Sequence, residues 1–210
     1  MDRRKSAARI DLFSLTALGA SALLARMFRA VANRELAETD QEVREEVLAR
    51  DPDPESPVAL FFKAISATEF LLTMNGLVAL GTCRRGARAW LPVVLGPALV
   101  KAAGMTCERM LPLQYAPTSK DGRPKPSFPS DHAMAATAEL LVPAYVLVRE
   151  KLLTPAALAG IVVIPVGAGI NRLVRDRHWA SDVVAGWTAG LGIASVCCLV
   201  SELVFCKDQR

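Results

Sequence analysis

Histidine is scarce in this chain, with only His132 and His178 among 210 residues. The five cysteines, Cys83, Cys107, Cys197, Cys198 and Cys206, form no Cys-x-x-Cys pair, no Cys/His ligand spacing and no even framework. That pattern supports neither structural zinc nor redox chemistry. Cys197 and Cys198 are neighbours in an apolar run and read as small packing residues. No His/Asp cluster resembles a metal cage, so the expected metal and cofactor content is none. The net charge of +4 is scattered over loop ends, without the aromatic-interleaved basic face of a nucleic-acid binder, and no nucleic-acid partner is expected.

Apolar residues are abundant instead, at 52% of the chain, and they fall in long blocks with charge confined mainly to short connectors. That is the pattern of a polytopic membrane protein. Six runs are long enough to span a bilayer: 12–32, 58–82, 90–108, 132–150, 154–172 and 182–205. The expected fold is all-α, a single six-transmembrane-helix bundle over residues 1–210, with the oligomeric state left open. The first run follows Arg3, Arg4, Lys5 and Arg9 without a clear small-residue cleavage site, and reads as an uncleaved anchor.

Between the first two runs, residues 33–56 are acidic, and Val43, Val47 and Leu48 recur at helical spacing. This segment reads as a solvated connector with a short surface helix, ended by "DPDPESP". Alternating spans put the basic N-terminus, 83–88, 149–151 and 207–210 on the cytoplasmic side. The segments 33–56, 109–131 and 173–181 then face outward. Lys63, Glu69 and Glu139 within runs read as structural polar groups. Trp90, Trp179 and Trp187 read as interfacial anchors.

Both histidines fall in outward segments. In "NRLVRDRHWASDVVAG" (171–186), Arg172 precedes His178 by six positions and Asp182 follows it by four. If the chain is helical there, Asp182 shares the face of His178 and can accept the proton of one ring nitrogen, leaving the other as nucleophile or base. Arg172 offers a planar fork for phosphate-type oxygens. In "PSFPSDHAMA" (126–135), Pro129, Ser130, Asp131 and His132 open the fourth run, where a helix N-terminus favours an anion. Ser130 and Asp131 also suit helix capping.

These residues resemble the type 2 phosphatidic acid phosphatases, relatives of the vanadate-dependent haloperoxidases, whose signature is Lys-x6-Arg-Pro, Pro-Ser-Gly-His and Ser-Arg-x5-His-x3-Asp. The third part matches Arg172, His178 and Asp182, with Asn171 in place of Ser. The second matches Pro129, Ser130 and His132, with Asp131 in place of Gly, a change that looks like the bacterial undecaprenyl-diphosphate phosphatase branch. The first is irregular. Lys101 is followed by Arg109 one position late, then Met110, while Arg123-Pro124 lies in the next loop near Lys120 and Lys125.

The resemblance implies a metal-independent lipid phosphatase in a bacterial inner membrane, with its site facing the outside. Its implied catalytic residues are His178 as nucleophile, Asp182 as its orienter and His132 as acid then base. Lys101, Arg109, Arg123, Ser130 and Arg172 are the candidates for holding phosphate. The implied substrate is a lipid phosphate or diphosphate, led by undecaprenyl diphosphate and followed by phosphatidic acid, phosphatidylglycerol phosphate and lipid A. Two other readings keep the same residues: a phosphotransferase that passes the phosphoryl group to another lipid, and a bundle that binds or transports an anionic lipid without catalysis.

Overall fold

The computed structural model describes residues 3–110, 113–118 and 122–208; Lys120 lies outside them. The described residues form eight α-helices and no strand: α1 (Arg3–Ala32), α2 (Ala37–Ala49), α3 (Pro57–Ile65), α4 (Thr68–Thr82), α5 (Ala87–Met110), α6 (Asp131–Arg149), α7 (Pro155–Val174) and α8 (Ala180–Asp208). Leu12, Leu15 and Leu18 on α1, Leu77 and Leu80 on α4, and Val162, Val163 and Val166 on α7 are all exposed. Apolar surface this extensive is a lipid-facing coat. By length and composition α1, α5, α7 and α8 can each cross a bilayer, and α3 with α4 forms a fifth candidate. The chain is an integral membrane protein.

Two features depart from the expected six straight spans. The run 58–82 is broken into α3 and α4, which meet at 52°. Ser66 ends α3 by turning its hydroxyl back to the Phe62 carbonyl at 2.6 Å, and Phe62 packs where a side chain on Gly167 of α7 would otherwise sit. The other departure is α6, which lies inside the bundle. Eleven of its 19 residues are buried, including Thr137 and Glu139.

α6 packs against α4, α5, α7 and α8, and its approach to α8 is set by two glycines. A Cβ on Gly186 would lie 2.6 Å from the Ser130 carbonyl oxygen, and one on Gly190 would lie 2.6 Å from that of Met134. Small residues spaced by four let helix backbones touch in membranes. Trp187 is part of this packing rather than an interfacial anchor, since its indole lies over Gly169 and donates to the Pro165 carbonyl at 2.9 Å.

The basic end expected on one side of the membrane is assembled as an ion-pair network. Glu202, 1% exposed, takes Arg149 at 2.6 Å and Arg9 at 3.7 Å, and also accepts from Tyr145 and Ser6. Arg85 and Arg88 pair with Glu150 at 3.5 and 3.1 Å. The start of α1 and the ends of α6 and α8 therefore share one end of the bundle. The starts of α6 and α8 and the end of α7 share the other. There α2 lies across the bundle with Asp40 only 4% exposed, so the acidic segment is docked rather than simply solvated.

Candidate active site

The start of α6 is built by its own sequence. Ser130 is its N-cap and accepts from the Ala133 amide at 3.5 Å, one of the helix-start donors that lack an intrahelical partner. The Ser130 amide donates to the backbone carbonyl of Asp182 at 2.9 Å. That bond ties the segment of the first histidine directly to the start of α8, beside the second. His132 follows in the first turn of α6.

His178 sits in the loop between α7 and α8, two residues before α8 begins. The expected pairing with Asp182 forms, at 3.4 Å from Nδ1 to Oδ2, but from a loop position rather than along a helical face. The Ser127 carbonyl oxygen is nearer to the same nitrogen, at 3.1 Å. A carbonyl can only accept, so Nδ1 carries the proton, and in the neutral ring Nε2 keeps the free lone pair. Asp182 is fully buried. Its Oδ2 also accepts from the Trp179 amide at 3.0 Å, the reach-back of a third-position carboxylate in a capping box.

Both imidazoles line one cavity of about 690 Å³. Its walls are the α3–α4 junction (Lys63, Ala67, Thr68, Glu69), the last turns of α5 (Gly104, Cys107, Glu108) and the α5–α6 loop (Ala116, Thr118, Lys125–Pro129). Asp131 and His132 of α6, with Arg172, Arg175, Arg177 and His178, complete it. Cations outnumber carboxylates in this lining, and the Nε of Arg172 is buried without a hydrogen-bond partner among the described residues. A buried guanidinium donor left open beside two imidazoles is a place for an anion's oxygens.

The other candidates fall around this cavity in different ways. Ser130 is fully buried behind it and caps α6. Asp131 lines it, with Oδ1 lying 2.7 Å from where a Cβ on Gly104 would be, so its carboxylate rests against α5. Lys101 is exposed one turn deeper on the stripe of α5 that carries Gly104 and Glu108, and its charge reaches the Asp131 carboxyl. Arg109 and Arg123 are exposed and outside the lining.

Several contributors have no signal in the sequence motifs. The Ser127 carbonyl acts through the backbone, which no residue type reveals. Lys63 and Glu69, on either side of the helix break, both line the cavity. Lys125, Arg175 and Arg177 were visible only as loop cations. Trp179, read as an anchor, donates from its indole to the Tyr115 carbonyl at 2.7 Å.

The chain is similar to known proteins in both sequence and fold. A segment of 85 residues is 34% identical to the lipid A 1-phosphatase of Porphyromonas gingivalis, covering 40% of this chain and 18% of that protein. The chain thus spans less than a fifth of that relative's length. The fold matches the crystal structure of a transmembrane PAP2-type phosphatidylglycerolphosphate phosphatase from Bacillus subtilis, with a TM-score of 0.71 at 20% identity, over 93% of this chain and 98% of that one. Residues 87–204 match the model of the PAP2 superfamily, and this chain belongs to that family.

Proposed function

We propose that this protein is a membrane lipid phosphatase that removes phosphate from a lipid phosphomonoester or diphosphate through a phosphohistidine on His178. The observation that carries the reading is the single cavity shared by His132, His178 and Arg172, with Nδ1 of His178 held as a donor so that Nε2 is the nucleophile.

Nε2 of His178 attacks phosphorus, forming the N–P bond as the P–O bond to the lipid breaks. Burial and the charge of Arg172 lower the pKa of His132 to about 3 in the empty cavity, so His132 takes up its proton as the negative phosphate group enters and gives that proton to the departing oxygen. For a monoester the leaving group is the lipid alcohol, and for a diphosphate it is the lipid monophosphate. His132, now neutral, takes a proton from water, the hydroxide attacks phosphorus, and N–P cleavage frees inorganic phosphate. Asp182 supports the imidazole throughout. Arg172 meets the equatorial oxygens, and Lys101, reaching up its stripe of α5, is a further candidate for that role.

Five lining cations against three carboxylates leave a surplus of about two charges, which suits one phosphate group; undecaprenyl diphosphate is the lead substrate because Asp131 stands where the family signature has Gly. Phosphatidic acid, phosphatidylglycerol phosphate and lipid A are the competitors. The proposed setting is a bacterial inner membrane with this cavity outward, supported by the arginine-rich network at the opposite end.

The test is phosphate release from these four lipids by the purified protein in detergent, beside His132→Ala and His178→Ala. Release by the wild type and loss of at least about 10³-fold in His178→Ala are expected. Absence of release from every lipid, or retention of activity without His178, refutes the proposal.

A further inference from the structure

We infer that α2 is a positioning element for the catalytic loop, with Asp40 and Arg44 acting through the backbone that carries His178; the inference rests on the phosphatase reading above. Asp40 is buried, and both its carboxylate oxygens are engaged. Oδ1 accepts from the Ser181 amide at 2.8 Å and Oδ2 from the Ser181 hydroxyl at 2.6 Å. Ser181 is the second residue of α8, so its amide is one of the donors that the helix cannot satisfy itself. A carboxylate there also suits the positive end of the helix dipole. Asp40 thus caps α8 from a helix 141 residues away in sequence.

Asp40 has a further partner. Gln114 donates from Nε2 to its Oδ2 at 3.3 Å and lies 3.2 Å from the Ser181 hydroxyl. The Gln114 carbonyl accepts from the Ser127 amide at 2.9 Å, and the Ser127 carbonyl takes the proton-bearing nitrogen of His178. The path from Asp40 to His178 therefore closes in both directions: through Ser181 to Asp182, and through Gln114 to Ser127. Movement of either arm changes the hydrogen bonds that fix the tautomer of the ring.

One turn further along α2, Arg44 grips the same loop. Its Nε and Nη2 meet the two carboxylate oxygens of Asp176 at 2.7 and 2.8 Å, a bidentate pair. The hydrogen bonds to Asp176 raise the pKa of Arg44 above its already high ordinary value, so the pair persists across any working pH at which Asp176 is ionised. Asp176 has φ +52°, in the left-handed region where a non-glycine residue needs support. Arg44 supplies it, and Thr118 adds a hydrogen bond to the Asp176 carbonyl.

Neither Asp40 nor Arg44 lines the cavity, so their removal acts on turnover more than on substrate affinity. Asp40→Ala is expected to lower kcat by about 10²-fold, the scale of a displacement of about 1 Å at a reacting group, with KM nearly unchanged. Asp40→Asn keeps one acceptor for the Ser181 amide and is expected to recover most of that loss. Arg44→Met removes the bidentate pair without disturbing a buried carboxylate, and is expected to show the same split on a smaller scale. Arg50→Ala, on the same helix but in an exposed pair with Glu46, is expected to match the wild type.

Hydrogen–deuterium exchange of segment 175–182, measured on the same variants in detergent, reads the anchoring without any substrate. It should speed up in Asp40→Ala and Arg44→Met while the α6 segment stays unchanged. Loosened exchange with unaltered kcat in both variants overturns the positioning role, as does unaltered exchange. So does a loss seen only as less folded protein, with kcat per folded molecule intact. An inactive wild type with the exchange pattern as expected instead counts against the phosphatase reading.

Discussion

Replacing Gly186 with alanine adds one methyl group to α8 at the point where the two histidine-bearing segments meet. The new Cβ would lie 2.6 Å from the Ser130 carbonyl oxygen and 2.9 Å from the Ala133 Cβ. Ordinary contact begins near 3.5 Å, so α6 must retreat from α8 by about 0.5–1 Å. Both obstructions belong to the backbone or to a Cβ, and no rotamer change relieves them. His132 moves with α6 while His178 stays with the start of α8, and their separation grows. Overpacking costs about 1–3 kcal/mol, against which alanine regains about 1 kcal/mol of helix propensity over glycine. The net loss of stability is therefore at most about 2 kcal/mol, whereas kcat should fall by about 10²-fold. The assay is lipid-phosphate hydrolysis beside thermal unfolding in detergent, with Gly76→Ala as control because nothing lies within 4 Å of a Cβ there. If Gly186→Ala keeps kcat within about twofold of the control, the claim that glycine contact sets the distance between the imidazoles is refuted.

Two further outcomes follow from the cavity lining. Gly104→Ala should push the Asp131 carboxylate off α5, because Oδ1 lies 2.7 Å from the new Cβ position; a carboxylate swung toward the cavity should raise KM for the phosphate lipid, and Asp131→Asn in the same background should restore it. Arg172→Ala should raise the melting temperature in phosphate-free detergent by relieving repulsion with Arg175 and Arg177, and should abolish the stabilisation of about 2.7 kcal/mol that inorganic phosphate gives the wild type at 100 times its dissociation constant; an equal phosphate response in both proteins contradicts the role given to Arg172.

The parts of the site that sequence reveals are those whose chemistry is local. Arg172, His178 and Asp182 stand at fixed short spacing, and Ser130 with His132 opens an apolar run, so residue type and interval suffice to find them. The break between α3 and α4 left a weaker mark, the Ser66-x-x-Glu69 spacing ahead of Phe70, Leu71 and Leu72, which suits a helix start. It falls at Ser66 and Ala67, between Lys63 and Glu69 in the run, without the glycine or proline that punctuates a helix, and α3 seats Phe62 against Gly167 of α7. Asp40 was hidden, since it is one acid among nine in residues 33–56 and only its contact with Ser181 distinguishes it from its solvated neighbours. The intrahelical pairing imagined for His178 and Asp182 has a related cause. The loop carries His178 ahead of α8, and a backbone carbonyl from the other motif shares the ring nitrogen with the carboxylate.

The two ends of the bundle treat their cations in opposite ways, and the contrast bears on function more than the count of charges does. At the far end Arg149, Arg85 and Arg88 are paired with Glu202 and Glu150, which is how a folded chain disposes of charge near a membrane when only stability is at stake. At the near end Arg44 is paired with Asp176 and Arg175 with Glu55, both outside the site's reacting groups, while Arg172 and Arg175 each keep a buried Nε with no partner among the described residues. Asp182 pairs with His178 and accepts from the Trp179 amide through Oδ2 alone, and its buried Oδ1 has no hydrogen-bond partner among the described residues. On the phosphatase reading, an incoming phosphate group meets the open donor of Arg172 in the cavity that the two histidines line.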